Sequence, residues 1–95
     1  MKHRILIIDD DDLVSASLKR VLVKLDYDVE LCLNAGDSED KIQNFDPDII
    51  LLDIYLTTHN GLDLLKIFQK KYYGIPVIMI TGYSDVNMAV SAIKA

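Results

Sequence analysis

The hydrophobic positions of this chain follow two spacings that alternate along its length. Continuous apolar runs of strand length occupy residues 5–8, 49–52 and 77–80. Over residues 13–25, apolar side chains instead recur at steps of three and four, which predicts a helix. Residues 29–33 alternate between apolar and polar side chains, as an outer strand does. The pattern therefore predicts an α/β fold in which strands and helices alternate.

Polar and turn residues mark the ends of the predicted helices. Asp11 or Asp12 can cap the first helix. A weaker helix over 35–45 has few core contacts and ends at Asp46-Pro47. A third helix ends at Gly74, and a last one starts near residues 84–85. The expected core contacts are Val14, Leu18, Val21, Leu22 and Leu25 in the first helix and Ala35, Ile42 and Phe45 in the second. In the third helix they are Leu62, Leu65 and Phe68, with Leu64 and Ile67 beside them. In the last helix they are Val86, Ala89, Val90 and Ile93.

Strands that are apolar throughout are typical of a parallel sheet with helices on both faces. We therefore expect a doubly wound sheet with right-handed crossovers. The 95 residues suffice for one domain, residues 1–95, and 51% of them are hydrophobic. No segment has transmembrane length. The single cysteine, Cys32, is typical of a protein in a reducing compartment, and we expect it to be a small core residue. These features predict a soluble cytoplasmic domain, and its net charge of −5 without a basic stripe argues against nucleic-acid binding.

Oxygen-bearing side chains follow each of the three apolar strands. Asp9-Asp10 follow the first, Asp53 the second and Thr81 the third. Because the carboxyl ends of parallel strands lie at one edge of a sheet, these residues should meet in one crevice. Asp11 and Asp12 are better explained as a solvated helix N-terminus, which the helix dipole favours.

Three carboxylates at one edge repel one another and favour a cation. Two unit charges about 4 Å apart repel by roughly 4 kcal/mol at an effective dielectric constant of about 20. Oxygen ligands favour Mg²⁺, Mn²⁺ or Ca²⁺ over zinc, and Mg²⁺ with few protein ligands also binds phosphate oxygens. A carboxylate at such a site can act as a nucleophile and form an acyl phosphate, with Thr81 as a hydrogen-bond donor to the product.

Four stretches of the sequence resemble the receiver domain of response regulators, the CheY-like family. The matching segments are ILIIDDD at 5–11, PDIILLD at 47–53, Gly61, and IPVIMITG at 75–82, and residues 81–90 are similar to the NtrC-like group. The resemblance covers the whole chain. It implies a flavodoxin-like sheet of strand order 2-1-3-4-5.

The resemblance also implies a function in two-component signal transduction. A histidine kinase or phosphotransfer protein would phosphorylate Asp53, and the domain would catalyse its own phosphorylation and dephosphorylation without acting on external substrates. Mg²⁺ would be held by Asp10, Asp53 and the backbone carbonyl of Tyr55, with Asp9 reaching it through water, and Mn²⁺ could replace it. Thr81 would be the switch hydroxyl. The phosphorylated state would regulate a C-terminal output domain or a partner.

The sequence departs from the family pattern at three places. Leu56-Thr57 stands where Met-Pro is usual, and the second helix carries Glu39 and Lys41 at usually apolar positions. The chain reaches Ala95 before the fifth strand and fifth helix of the family. The domain is therefore expected to be incomplete, with a fourth strand at the sheet edge that invites self-association.

Two other functions compete with the signalling receiver. One is a protein-interaction module with a receiver-like fold that works without phosphorylation; intact Asp9, Asp10, Asp53 and Thr81 count against it. The other is a Mg²⁺-dependent phosphatase with an aspartyl intermediate. Such enzymes place a second aspartate two residues after the nucleophile, where this chain has Tyr55.

Overall fold

The computed structural model describes residues 2–54, 56 and 59–80, in which strands and helices alternate. The strands are β1 (Arg4–Ile8), β2 (Asp28–Cys32), β3 (Ile49–Asp53) and β4 (Val77–Ile80). The helices are α1 (Asp12–Lys24), α2 (Ser38–Phe45) and α3 (Gly61–Lys71), and a short 3₁₀ turn, Ala35–Asp37, precedes α2. The last predicted helix lies outside the described residues. None of the described helices has the length and hydropathy needed to cross a membrane.

The four strands form one parallel sheet in the order β2-β1-β3-β4. β1 pairs with both β2 and β3, so that Ile5 lies opposite Val29 on one side and Ile49 on the other. The parallel sheet is confirmed, and the order agrees with the predicted one through its fourth strand. β1 and β3 occupy its middle, which brings their carboxyl ends side by side.

The core consists of two apolar layers, one on each face of the sheet. Leu6 and Ile8 of β1 point to the face that packs against α2 and α3. Ile5 and Ile7 point to the opposite face, which packs against α1. All four side chains are completely buried, as expected for a central strand covered on both sides. The central strands are therefore held by packing on both faces up to the residues that follow them.

Capping hydrogen bonds and backbone conformation mark where α1 begins and where α2 ends. Asp11, not Asp12, caps α1, because its Oδ1 accepts hydrogen bonds from the backbone N–H groups of Leu13 (3.0 Å) and Val14 (3.1 Å). Asp46 ends α2 in a left-handed conformation (φ 53°) and Pro47 follows it, as predicted. The predicted end of α3 at Gly74 is wrong, because the helix ends at Lys71.

The buried stripes of α1 and α3 are narrower than the sequence pattern predicts. In α1, Val14, Leu18 and Leu22 are buried, but Val21 and the C-cap residue Leu25 keep 39% and 36% of their surface accessible. In α3, Leu64 and Phe68 are buried, whereas Leu62 is 49% exposed. The buried residues of α3 are Gly61, Leu64 and Phe68, and Leu62 lies outside this stripe. Periodicity marks an apolar face but does not say how much of it is covered.

Candidate functional site

Three aspartates meet at the carboxyl edge of the sheet. Asp9 and Asp10 follow β1 directly, and Asp53 is the last residue of β3. Since Ile8 of β1 lies opposite Leu52 of β3, the two strands deliver these residues to the same level. One carboxylate oxygen from each of the three lies within 4.8 Å of the others. The sheet register alone thus brings together side chains more than forty positions apart in sequence.

Asp9 is the most constrained of the three, with 3% of its surface exposed. Its backbone N–H donates to the carbonyl oxygen of Cys32 on β2 (3.1 Å). Its side-chain Oδ1 accepts from the backbone N–H of Asp11 (2.9 Å), and its carbonyl oxygen accepts from the hydroxyl of Ser15 in α1 (3.3 Å). Hydrogen bonds to β2, to the turn and to α1 therefore fix both its backbone and its carboxylate.

Burial raises the pKa of Asp9 to about 7. The negative charge of Asp53 and a hydrogen bond between the two carboxyl groups contribute to this raised pKa, whereas the hydrogen bond from the Asp11 N–H opposes the shift. Without a cation, a proton shared between neighbouring carboxyl groups relieves their repulsion at neutral pH. A divalent cation can replace that proton and satisfy the carboxylates together.

The donor set fits a hard divalent cation. The cluster offers carboxylate oxygens from Asp9, Asp10 and Asp53, the ligand type that Mg²⁺ and Mn²⁺ prefer. Three protein carboxylates leave coordination positions for water or phosphate oxygens, as is usual for Mg²⁺. Tyr55 and Thr81, the other predicted members of this site, lie outside the described residues.

The chain after Asp53 folds back closely on β3. The N–H of Ile54 donates to the carbonyl oxygen of Ile80 (3.0 Å), which prolongs the pairing of β3 with β4. The N–H of Gly61, the buried first residue of α3, donates to the carbonyl oxygen of Ile54 (3.1 Å). The start of α3 is thereby attached next to Asp53.

Sequence reasoning missed Ser15 as a neighbour of the site. It is completely buried on the core side of α1, where its hydroxyl contacts the backbone of Asp9. A signal was present, because Ser15 lies three residues before Leu18 and so shares the apolar stripe of the helix. A polar residue in such a stripe must find a partner.

The sequence is similar to known response regulators. The family model of the response regulator receiver domain matches residues 5–95. The chain is 34% identical over 96 residues to the nitrogen assimilation regulatory protein NtrX of Azorhizobium caulinodans, covering 99% of this chain and 21% of that protein. It is 32% identical over 95 residues to the response regulator MprA of Mycobacterium sp. (strain KMS), covering 100% of this chain and 41% of that protein. The chain thus spans less than half the length of these relatives.

Solved structures share the same fold. A CheY-like receiver domain protein from Methanospirillum hungatei JF-1 superimposes with a TM-score of 0.81 at 35% identity, covering 99% of this chain and 75% of that chain. The MaeR response regulator, solved bound to beryllium trifluoride, gives a TM-score of 0.77 at 28% identity, covering 96% of this chain and 76% of that one.

Proposed function

Because this chain belongs to the response regulator receiver family of two-component systems, we propose that its Asp53 accepts a phosphoryl group from a histidine kinase or a phosphotransfer protein. The observation that supports this role is the position of Asp53 at the end of central strand β3, with an oxygen within 4.8 Å of oxygens of Asp9 and Asp10. Asp53 is also half-buried, so a carboxylate oxygen can face an incoming phosphoryl group.

The proposed reaction is a displacement at phosphorus. A carboxylate oxygen of Asp53 attacks the phosphorus of a phosphohistidine, an O–P bond forms and the P–N bond breaks. The imidazole leaves with the electron pair and takes up a proton. The domain thus supplies the nucleophile and the surroundings that favour transfer, and is modified in its own reaction.

The acidic cluster is the proposed site of the cation for this transfer. Asp9, Asp10 and Asp53 would hold Mg²⁺, or Mn²⁺ in its place, together with the backbone carbonyl of Tyr55. When bound, the cation neutralises the carboxylates and the phosphoryl oxygens, which lets two anionic groups approach. We assign Thr81 as the switch hydroxyl that hydrogen-bonds the phosphorylated aspartate. The resulting change would regulate an output domain or a partner, and one relative, NtrC of Proteus hauseri, is a DNA-binding transcriptional regulator.

Labelling of the full chain tests the proposal. With a small acyl phosphate donor and Mg²⁺, intact-mass measurement should show one added phosphoryl group, which peptide mapping places on Asp53. Asp53→Asn should remove the label. Asp63→Asn, at an exposed aspartate in the first turn of α3, is the matched control and should be labelled like the wild type. Equal labelling of Asp53→Asn contradicts the assignment, and a wild type that takes no label favours the phosphorylation-independent interaction module.

A further inference from the structure

We propose that Ser15 is a positioning residue for the acidic cluster and acts through the backbone of Asp9. This inference rests on the proposed function, since it concerns the geometry of the same cation site. Ser15 touches none of the reacting groups. Its contribution is to hold Asp9, and through it the turn at residues 9–11, at the start of α1.

The first observation is that Ser15 bonds twice to the turn that carries the aspartates. Its hydroxyl donates to the carbonyl oxygen of Asp9 (3.3 Å). Its backbone N–H donates to the carbonyl oxygen of Asp11 (3.0 Å). The hydroxyl bond is buried and spans six positions, so it lies outside the regular hydrogen-bond pattern of the helix. It connects α1 to the end of β1, where a buried carbonyl group would otherwise lose a donor.

The second observation is that the Ser15 bond complements the other two contacts of Asp9. The N–H of Asp9 is held by Cys32 on β2, and Oδ1 is held by the N–H of Asp11. Removal of the Ser15 hydroxyl leaves the peptide group between Ile8 and Asp9 attached to β2 through the Asp9 N–H, but takes away the contact from α1 to the next peptide group, between Asp9 and Asp10. A rotation of that peptide group moves both carboxylates relative to Asp53, whose position is set by β3.

A purely structural role for this hydroxyl predicts a different outcome. Alanine is smaller than serine and is a better helix former, so Ser15→Ala should leave α1 intact. Loss of the hydroxyl leaves the buried carbonyl group of Asp9 short of a donor, which lowers stability without removing any backbone hydrogen bond of α1. A positioning role predicts that Mg²⁺ affinity falls while the fold remains. Hydrogen-bond partners of metal ligands typically change metal affinity by about 10- to 100-fold. Because Ser15 acts through the backbone of Asp9, its effect on Mg²⁺ affinity should lie near the lower limit.

Ser38 offers a matched control within the same chain. It is the other serine that is buried in the described ranges, with 2% of its surface exposed. It begins α2, which packs on the opposite face of the sheet from α1. Ser38→Ala therefore removes a buried hydroxyl from the first residue of a helix on the other face of the sheet, without touching the turn at residues 9–11.

The test measures Mg²⁺ binding by titration calorimetry on the full chain, at a temperature where thermal unfolding shows each variant folded. Ser15→Ala should bind Mg²⁺ about tenfold more weakly than the wild type. Ser38→Ala should bind normally, and Ser15→Thr, which keeps a hydroxyl, should recover part of the affinity. In the metal-free protein, Ser15→Ala should also speed hydrogen exchange of the Asp11 N–H, while exchange in β1 stays unchanged.

The outcomes separate this inference from the proposed function. If the wild type binds Mg²⁺ and Ser15→Ala binds it equally well, the positioning role is wrong although the cation site stands. An equal loss of affinity in Ser15→Ala and Ser38→Ala also overturns it, since the effect would then reflect general loosening. If the wild type binds no Mg²⁺, the proposed cation site is wrong. Independently of Mg²⁺, an Asp11 N–H that exchanges at the same rate in Ser15→Ala and in the wild type overturns the positioning role.

Discussion

Gly61, the first residue of α3, lies directly against the backbone that leaves Asp53. A Cβ atom at Gly61 would collide with the carbonyl oxygen of Asp53 and lie 2.6 Å from Cα and 2.8 Å from the carbonyl oxygen of Ile54. All of these are backbone atoms, which cannot move aside as a flexible side chain does. The position has no space for a side chain, so glycine here reflects a close approach between α3 and the end of β3.

We predict that Gly61→Ala destabilises the domain and disturbs Asp53. The added methyl group must displace either α3 or the chain at residues 53–54, at a cost of about 1–3 kcal/mol. Phosphoryl labelling of Asp53 should slow for the same reason. Gly74→Ala is the control, because a Cβ there has no neighbour within 4 Å, and it should change stability by less than about 0.5 kcal/mol. Denaturant unfolding measures the stability of both variants. If Gly61→Ala is as stable as Gly74→Ala, the approach between α3 and the end of β3 is not tight.

The second prediction concerns the dependence of stability on Mg²⁺. A cation that binds only the folded state stabilises it by mass action, by about 2.7 kcal/mol at a concentration 100 times Kd. Mg²⁺ should therefore raise the melting temperature of the wild type. The rise should largely vanish in Asp10→Ala and persist in Asp12→Ala, because Asp12 lies exposed in the first turn of α1. A full-sized rise in Asp10→Ala would place the cation elsewhere.

The polar second helix is attached to its neighbours by ion pairs. Lys41 Nζ lies 2.9 Å from Oε1 of Glu30 on β2. Lys71 Nζ, at the end of α3, lies 2.8 Å from Oε1 of Glu39, to which the hydroxyl of Tyr72 also donates (3.3 Å). Lys41 and Glu39, which stand at usually apolar positions of the family, thus connect α2 to β2 and to α3, respectively. Side chains this exposed contribute modestly, since solvent and salt screen them.

We predict a small, salt-sensitive loosening of α2 in Glu39→Gln. The hydrogen bond from Lys71 lowers the pKa of Glu39 below its usual value, so this pair stabilises the folded state above the usual pKa of a glutamate. The stabilisation is lost as pH falls through the lowered pKa. Hydrogen exchange of the α2 amides should therefore be faster in Glu39→Gln than in the wild type at neutral pH. The difference should shrink at acidic pH or about 0.5 M salt. Asp40→Asn, an exposed neighbour in the same first turn, controls for the loss of a negative charge at the N-terminus of α2.

The sequence was most informative where burial constrains it. Continuous apolar runs favour strands that are covered on both faces, and a parallel sheet of such strands brings their carboxyl ends to one edge. The proximity of Asp9 and Asp53 could therefore be predicted from the pattern. In the same way, Asp46-Pro47 marks a helix end, because proline disfavours a helical residue before it.

Features that depend on distant partners left no local signal. Glu39 and Lys71 are 32 positions apart, and nothing near either one indicates the other. Leu62 is exposed although it fits the apolar pattern of α3. The helix ends before Gly74, at Tyr72, whose backbone is no longer helical (φ −126°, ψ 45°) and whose ring packs against the core beside Phe68. Local propensity is a weak guide where tertiary packing decides.

The last prediction follows from the raised pKa of Asp9, which is buried against Asp53 and lies beside Asp10 and Asp11. Its pKa is about 7 in the folded protein against 3.8 for the free side chain. Between these values the folded state binds a proton that the unfolded state does not. The stability from Asp9 is therefore fully present below about pH 4 and is lost as pH rises through about 7. In the absence of divalent cations, ionisation of Asp9 should destabilise the domain by a few kcal/mol at most.

Urea unfolding of the metal-free protein at pH 5.5 and pH 8 tests this directly. Asp9→Asn keeps a side chain of similar shape that is neutral in both the folded and the unfolded state, so it should be the more stable protein at both pH values, by a smaller margin at pH 5.5 than at pH 8. Comparing the two proteins cancels the other titrating groups, and Asp12→Asn should follow the wild type at both pH values. Mg²⁺ at pH 8 should remove the advantage of Asp9→Asn, because the cation stabilises the ionised cluster that only the wild type retains in full. Parallel pH profiles for the wild type and Asp9→Asn would show that Asp9 is already ionised in the metal-free protein below pH 5.5, and that neighbouring donors, rather than a shared proton, stabilise its charge.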